Sequence, residues 1–564
     1  MQHESHIFNK LDQAIGWIIF LIALCTYWLS IEPTASYWDC GEYIAQADRL
    51  EIGHAPGNPI YIIAGRFFAN FASSSEHVAL MVNAMSGLLS AFTILFLFWS
   101  ISHIVRKLLR PDKYDSKARL WLIFGAASVG ALAYTWSDTF WFSAVEAEVY
   151  AFSSLCTALV FWLILKWEDN ADKPHSDRFL ILIAYLIGIS VAIHLLNLLC
   201  IPAIALIIFY RKNNHITIWK VLTALFLSFC VIALILFGLI PGFVKVGQWI
   251  ELICVNNFHL GFNSGAIIYS VLFFAISIWT IIEIQIAKSK SRIIISSILT
   301  ITLSGLIFIG NNIIVWLILF CIASVALITK AYFNRLPLRL LNNICWSIFV
   351  IFIGYSSYAI ILIRSDANPP MNENSPDNLF ALSSYLNREQ YSKNPLIYGA
   401  TPYARQMKNE HSEIDEMTGK EIYSYSGIHR QKGEKRYSKG IAGATPIYRS
   451  QMATTADSAY NQNLVSRTDD FYFFKDYDYE ITTTPELDML FPRIFSSSPT
   501  HISSYASWAG MPPATMDSVE VSMAIDCEGN AVARYDNSTG KRVVERLPKP
   551  TIWQNLRFFF SYQV

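Results

Sequence analysis

The chain has 564 residues, 53% of them hydrophobic and 15% charged, which is too apolar for a soluble protein of this length and makes the lipid bilayer its expected solvent. Its 43 lysines and arginines equal its 43 aspartates and glutamates, so the net charge is zero and no basic footprint for nucleic acid is present. Nine cysteines without a C-x-x-C spacing support neither a disulfide framework nor a zinc site, and only Cys40, Cys254 and Cys527 look solvent-facing.

A short N-terminus carrying Lys10 leads into a first apolar span at 14–31, close to the roughly 20 residues needed to cross a bilayer. A cleaved signal peptide is the alternative, but no clear cleavage site follows. The next stretch, SYWDCGEYIAQADRLEIGHAPGNP (36–59), places Asp39, Glu42, Asp48, Arg49, Glu51 and His54 within sixteen residues and closes on a strong turn cluster. Asp39 and Glu42 stand three apart, so in a helix both carboxylates share one face. The plain alternative is a solvated loop in which Asp39 is a helix cap. PIYIIAGRFFANFA (59–72), too short to span and carrying Arg66, fits an interfacial or re-entrant helix.

Ten further apolar spans follow at 79–105, 120–137, 143–165, 179–194, 196–210, 219–242, 266–287, 293–310, 312–329 and 340–363, eleven in all. The lysine and arginine distribution tests this topology independently. With the N-terminus inside, the inner loops 106–119, 166–178, 211–220, 288–292 and 330–339 each carry at least three Lys or Arg, whereas the outer loops are nearly bare. Asp39 therefore faces outward. The outer loop 243–265 is amphipathic and Trp-bearing, and reads as a second interfacial helix.

After residue 363 the composition turns polar. Residues 364–551 read as an irregular α+β extracytoplasmic region, with a turn-rich linker at 368–378, a helix capped near Ser375 with Asp377 in its first turn, and strand-like runs KNPLIYGA, EITTTPEL and NAVARYD. Residues 552–564 become apolar again, as if a further membrane segment began there and the chain were cut short. The expected organisation is a transmembrane domain at 1–363, a soluble region at 364–551 and this final segment.

Beyond the first loop, Glu146 and Glu148 recur near the start of a span, two residues apart and hence on different helix faces. Carboxylates at that depth usually face a protein-lined cavity, with interfacial placement as the alternative. His194 and Asn197 lie near the outer end of another span, where a helix–helix hydrogen bond is the simplest role. Arg364, just past the last span, is positioned for a lipid phosphate or as a headgroup anchor. Carboxylates, arginines and aromatics at one rim of a helix bundle suit a reaction between a lipid-embedded donor and a water-side acceptor. A carboxylate removes the acceptor's proton and an Arg or a metal meets the departing phosphate.

The residues YWDCGEYIAQADRLEIGHAPGNPIY, FWFSAVEAEVYAFS, HLLNLLCIPAI and RSDANPPMNENSPDNLFALSSYLNREQY resemble a bacterial polytopic family of formerly unknown function, grouped with GT-C type glycosyltransferases and related to a transmembrane protein O-mannosyltransferase. The resemblance implies a mainly α, GT-C-like bundle and an inverting transfer of a sugar, mannose in this family, from a polyprenyl-phosphate donor to a protein hydroxyl or glycan. The expected setting is the extracytoplasmic face of the inner (cytoplasmic) membrane. It implies an acidic base in the first outer loop, matched by Asp39 with Glu42 as the close substitute, and a second-loop acid at Glu146 or Glu148. His54 would line the donor entrance, and Arg66 or Arg364 would meet the phosphate. The acids are spaced D-x-x-E rather than as D-D, E-D or D-x-D, so which carboxylate is the base and whether a divalent cation takes part stay open. The competing expectations are a transporter or flippase of lipid-linked intermediates and a non-catalytic scaffold.

Overall fold

The computed structural model describes residues 2–109, 116–286, 288–310, 312–332, 337–391, 398–400, 408–414, 421–428, 430–440, 453–481, 488–490, 507, 510, 515–517, 523–525, 531–533, 544–546, 551–554 and 556–557. The helices begin with α1 (Gln2–Leu29), α2 (Cys40–Arg49), α3 (Pro59–Ala69), α4 (Val78–Leu108), α5 (Ser116–Thr135) and α6 (Asp138–Ala144). There follow α7 (Val149–Asn170), α8 (Asp177–Val191), α9 (Ile201–Lys212), α10 (Ile218–Ala233), α11 (Ile240–Leu252) and α12 (Ser264–Ile286). The last are α13 (Lys290–Leu303), α14 (Ile313–Tyr332), α15 (Leu338–Tyr355), α16 (Ala359–Asp366), α17 (Leu379–Leu386) and α18 (Thr455–Leu464).

Each of the eleven apolar stretches contains a helix, and nine helical runs among the described residues are long and apolar enough to cross a membrane. The other two, α8 with 15 residues and α13 with 14, fall short of the length that spans a bilayer by itself. The expected separate helix over 243–265 is not separate. Residues 218–257 run as one continuous apolar helical stretch, in which two wider π-helical turns, Leu234–Leu239 and Ile253–Asn257, follow α10 and α11. The short helix expected after Pro59 is present as α3.

The chain divides into two compact units, residues 1–388 with 467–472, and residues 389–466 with 473–564. The change of composition at 364 is therefore not the structural boundary: the next 25 residues pack with the first unit. There α4 packs against α1, α5 and α7, and α8 packs against α15. The second pairing is unusually close, because a side chain on Gly188 would meet the Ile351 backbone and one on Gly354 would meet the backbone of Gly188 and Ile189. Small residues permit this where apolar burial gives no extra drive between helices in lipid.

The two ends of the first unit differ. At one end, interhelical ion pairs join Lys107 to Glu168 and Asp169 at 2.8 and 3.1 Å, Arg339 to Asp177 at 2.6 Å, and Arg211 to Asp172. The basic clusters seen in the sequence thus latch helix ends as well as biasing topology. Glu283, buried in α12, is likewise paired, with Arg292 at 2.7 Å. The other end gathers the α1–α4 connection, α6 and the start of α7. Here Tyr27 donates to the Thr135 carbonyl at 3.1 Å and Asn83 to the Glu32 and Thr34 carbonyls at 2.6 and 2.9 Å. Cys40 and Cys254 are buried rather than solvent-facing, because the α2 face and the turn after α11 pack inward; Cys527 lies outside the described residues.

In the second unit, strands Lys408–Ile414, Glu421–Ile428, Ala531–Ala533 and Met523–Ile525 form an antiparallel four-stranded sheet in that order. Buried Asp457 of α18 accepts from Lys435 at 2.7 Å and Tyr477 at 2.5 Å. Of the expected strands, Tyr398–Ala400 and Ala531–Ala533 are present and Ile481 ends a strand; the rest of those runs, and most of 552–564, lie outside the described residues.

Candidate active site

Amphipathic α2 sets the site. Its residues Cys40, Tyr43, Gln46 and Ala47 turn to the core against α3 and α4, which leaves Glu42 on its flank and Asp39 at its first turn. Asp39 occupies the helix cap position but makes no capping hydrogen bond, and its side chain remains 55% exposed. The capping alternative therefore fails, and the carboxylate is left facing a cavity of about 460 Å³. Glu42 is half-buried and accepts from the His54 backbone at 2.6 Å, from Gln46 at 2.8 Å and from His54 Nδ1 at 3.0 Å. Burial disfavours its charge, yet the bonds from His54 and Gln46 outweigh that and hold its carboxyl below the usual range.

Glu42 in turn fixes the imidazole. With Nδ1 bound to Glu42, Nε2 of His54 is the nitrogen near Asp39, 3.8 Å from Oδ2. The hydrogen bond from the ring to Glu42 raises the His54 pKa, against burial and with help from the charges of Glu42, Asp39 and Glu373. The loop carrying His54 lies so close to α2 that a side chain on Gly53 would collide with Gln46 and Glu42. From the far side, Ile52 bridges to residues 371–373 through Ile52 N to Met371 O and Glu373 N to Ile52 O, both 3.0 Å. Tyr385 of α17 donates to the Gly53 and His54 carbonyls, 2.7 and 3.1 Å away.

Glu148, at the start of α7, lines the same cavity and is buried. Burial, together with the charges of Asp39 and Glu146, pushes its carboxyl up to about 7. His194 lines the cavity as well. Its Nδ1 accepts from the Leu196 backbone at 3.2 Å, which puts the proton of the neutral ring on Nε2.

Other expected residues sit elsewhere. Glu146 accepts from Ser36 and does not line the cavity. Arg66 holds Asp48, which ties α3 to α2. Arg364 donates to the Leu50 and Arg49 carbonyls at 2.8 and 3.1 Å, closing the C-terminal end of α2 as a cation suits a helix C-terminus. Asn197 is fully buried with neither amide atom hydrogen-bonded, so the helix–helix bond expected of it is not made.

One lining residue escaped the sequence reading. Arg388 is the one lysine or arginine among the described residues that line the cavity. The helix before it is capped by Asn378, which accepts from the Phe380 and Ala381 amides at 2.9 and 3.1 Å, rather than by Ser375. The later start also puts Asp377 just before the helix, not in its first turn. Arg388 thereby lands just past the end of α17 with a left-handed φ of 53°. An Arg where a helix end favours Gly or Asn was the available signal.

Asp39, Glu42 and His54 each offer a ligand atom, all within 4.8 Å of one another, and could hold a divalent cation. The hydrogen bonds from His54 and Gln46 already satisfy Glu42 in the arrangement described.

Residues 39–217, which begin at Asp39 and include Glu148 and His194, match the family model described as Protein O-mannosyl-transferase TMEM260 N-terminal domain. That part of the chain is similar to this transferase's N-terminal domain. The Protein O-mannosyl-transferase tmem260 of Dictyostelium discoideum is 23% identical over 240 residues, covering 40% of this chain and only 27% of that protein. Residues 392–560 match a second model, described as a family of unknown function, DUF8416. No solved structure matches.

Proposed function

We propose that the chain is a membrane glycosyltransferase that moves a sugar, mannose by its relatives' name, from a polyprenyl-phosphate donor to a protein hydroxyl or a glycan on the extracytoplasmic face. One observation carries this reading: Asp39, His54 and Glu148 meet in one cavity with Arg388. In the transfer, Asp39 takes the acceptor hydroxyl's proton as that oxygen attacks the anomeric carbon. The bond from carbon to phosphate oxygen breaks, and the lipid phosphate leaves with the electron pair. Glu42 keeps the His54 ring oriented beside Asp39. Glu148, with its raised pKa, keeps a proton near neutrality and is suited to hydrogen-bond a sugar hydroxyl.

A lipid-linked donor is favoured over a water-soluble one by a second cavity of about 560 Å³, lined largely by apolar side chains including Phe243, Phe274 and Phe352. It shares Val244, Tyr355 and Tyr358 with the first, so hydrocarbon and polar headgroup would have adjoining places. The extracytoplasmic setting rests on the charge bias of the loops.

The test is transfer by the purified chain in lipid nanodiscs, offered a panel of labelled polyprenyl-phosphate sugars. Asp39→Asn is expected to leave expression and thermal stability unchanged and to lower transfer by at least about a hundredfold, as loss of a catalytic base does. Full activity in that variant removes Asp39 from the role.

A further inference from the structure

We infer that the cleft between the first turns of α8 and α15 is a binding site for the headgroup of an anionic phospholipid. It lies at the end of the first unit that is latched by ion pairs, away from the candidate active site. The two helices run parallel: Asp177 meets Arg339 near their first residues, and Gly188 approaches Ile351 further along. Both therefore start at the same place, and together with the turn after α7 they enclose a cavity of about 520 Å³. Lys173, His175 and Arg178 line it from the turn and from α8, and Arg339, Asn342 and Asn343 line it from α15.

The charges of this lining do not balance. Its two carboxylates are already matched, Asp177 by Arg339 at 2.6 and 2.8 Å and Asp172 by Arg211. Lys173 and Arg178 are left over: both are exposed, and among the described residues neither makes an ion pair. The Arg178 guanidinium stands 5.3 Å from the centre of the Phe179 ring, a contact that leaves its N–H edges available. A lysine and an arginine at one cavity, with no anion of the protein to answer them, match the oxygens of a phosphodiester. What selects a lipid over a water-borne anion is the surface beside the cavity. Leu182 of α8 and Leu340 and Ile344 of α15 are exposed within two turns of the helix starts, so the cationic mouth adjoins apolar helix sides. A phospholipid uses both, its phosphate on the cations and its acyl chains along the helices. That this end meets the inner leaflet rests on the loop charge bias; lipid binding itself does not.

The experiment titrates the full purified chain in detergent with dioctanoyl phosphatidylglycerol, dioctanoyl phosphatidylcholine and inorganic phosphate. It compares the wild type with the double variant Lys173→Gln, Arg178→Gln and with a control double variant, Lys117→Gln, Lys220→Gln, which removes two exposed lysines outside the cavity. Lys173 and Arg178 hold no ion pair, so the cavity variant is expected to melt as the wild type does. In the wild type phosphatidylglycerol is expected to bind at least about tenfold more tightly than phosphatidylcholine. That preference should vanish in the cavity variant and change less than about twofold in the control. Equal phosphatidylglycerol affinity in the wild type and the folded cavity variant overturns the site, as does a wild type that does not tell the two lipids apart. Inorganic phosphate bound as tightly as the lipid would identify a water-borne anion and overturn the lipid assignment. A change of oligomeric state in the cavity variant, read by light scattering, would identify a second copy of the chain as the occupant instead. None of these readouts uses sugar transfer, so failure of the site and failure of the transferase reading are separate results.

Discussion

Asp39, Glu42 and His54 show how one short segment divides labour among similar groups. Glu42 receives three N–H donors and is held ionised, His54 is aimed by it, and Asp39, 3.8 Å from the His54 ring, keeps a half-exposed carboxylate on the cavity. Glu148 is the opposite case. Its folded-state pKa of about 7 lies above its ordinary value of 4.5, so the folded protein binds this proton more tightly than the unfolded chain does. The stability this contributes is complete below 4.5 and is lost as pH rises through about 7. Glu148→Gln, permanently neutral, should therefore melt a few degrees above wild type at about pH 8, with the gap closing toward about pH 4.5. Melting curves across that range check it, and a gap that is constant or grows in acid contradicts the burial argument.

At the scale of elements, α2 is held by its packing on α3 and α4, and α17 secures the His54 loop that follows it. The α17 helix presents Tyr385, buried at 1% exposure, to two consecutive carbonyls of the His54 loop, and the strand-like contact at Ile52 continues the clamp. Tyr385→Phe removes only the hydroxyl. It should cost about 1 kcal/mol of stability, the typical net value of such a bond, and lower sugar transfer several-fold by loosening His54. A thermal shift without any loss of rate would show that the clamp is structural alone. The pairing of α8 with α15 is the element-scale counterpart in the bundle, where two glycines allow backbone contact that no periodicity argument would have found.

For the whole molecule, the first unit has one end latched by ion pairs and another that carries the cavity. A single cysteine replacing Tyr37, 79% exposed, and one replacing Lys173 at the other end should react with impermeant reagents from opposite sides of the membrane. The Tyr37 position is expected to label from outside. Labelling of both from one side would contradict the alternating course of the helices. Residues 467–472 return to the first unit from far along the sequence: Tyr472 donates to buried Glu251 at 3.0 Å, and Arg467 donates to the Val255 and Asn256 carbonyls at 3.0 and 2.9 Å.

Apolar runs, charge bias and the acidic segment after the first span were enough to predict a many-helix membrane protein and to single out Asp39, Glu42, His54 and Glu148, because hydropathy, charge placement and local spacing are properties of the chain itself. Which of these groups share a cavity, and that Arg388 rather than Arg66 or Arg364 lines it, depended on long-range contacts. Arg364 meets α2 across more than three hundred residues and Tyr385 meets the His54 loop across a similar gap. Such pairings are set by packing and by the reach of individual side chains, which no window of sequence contains, and only the folded arrangement decided them.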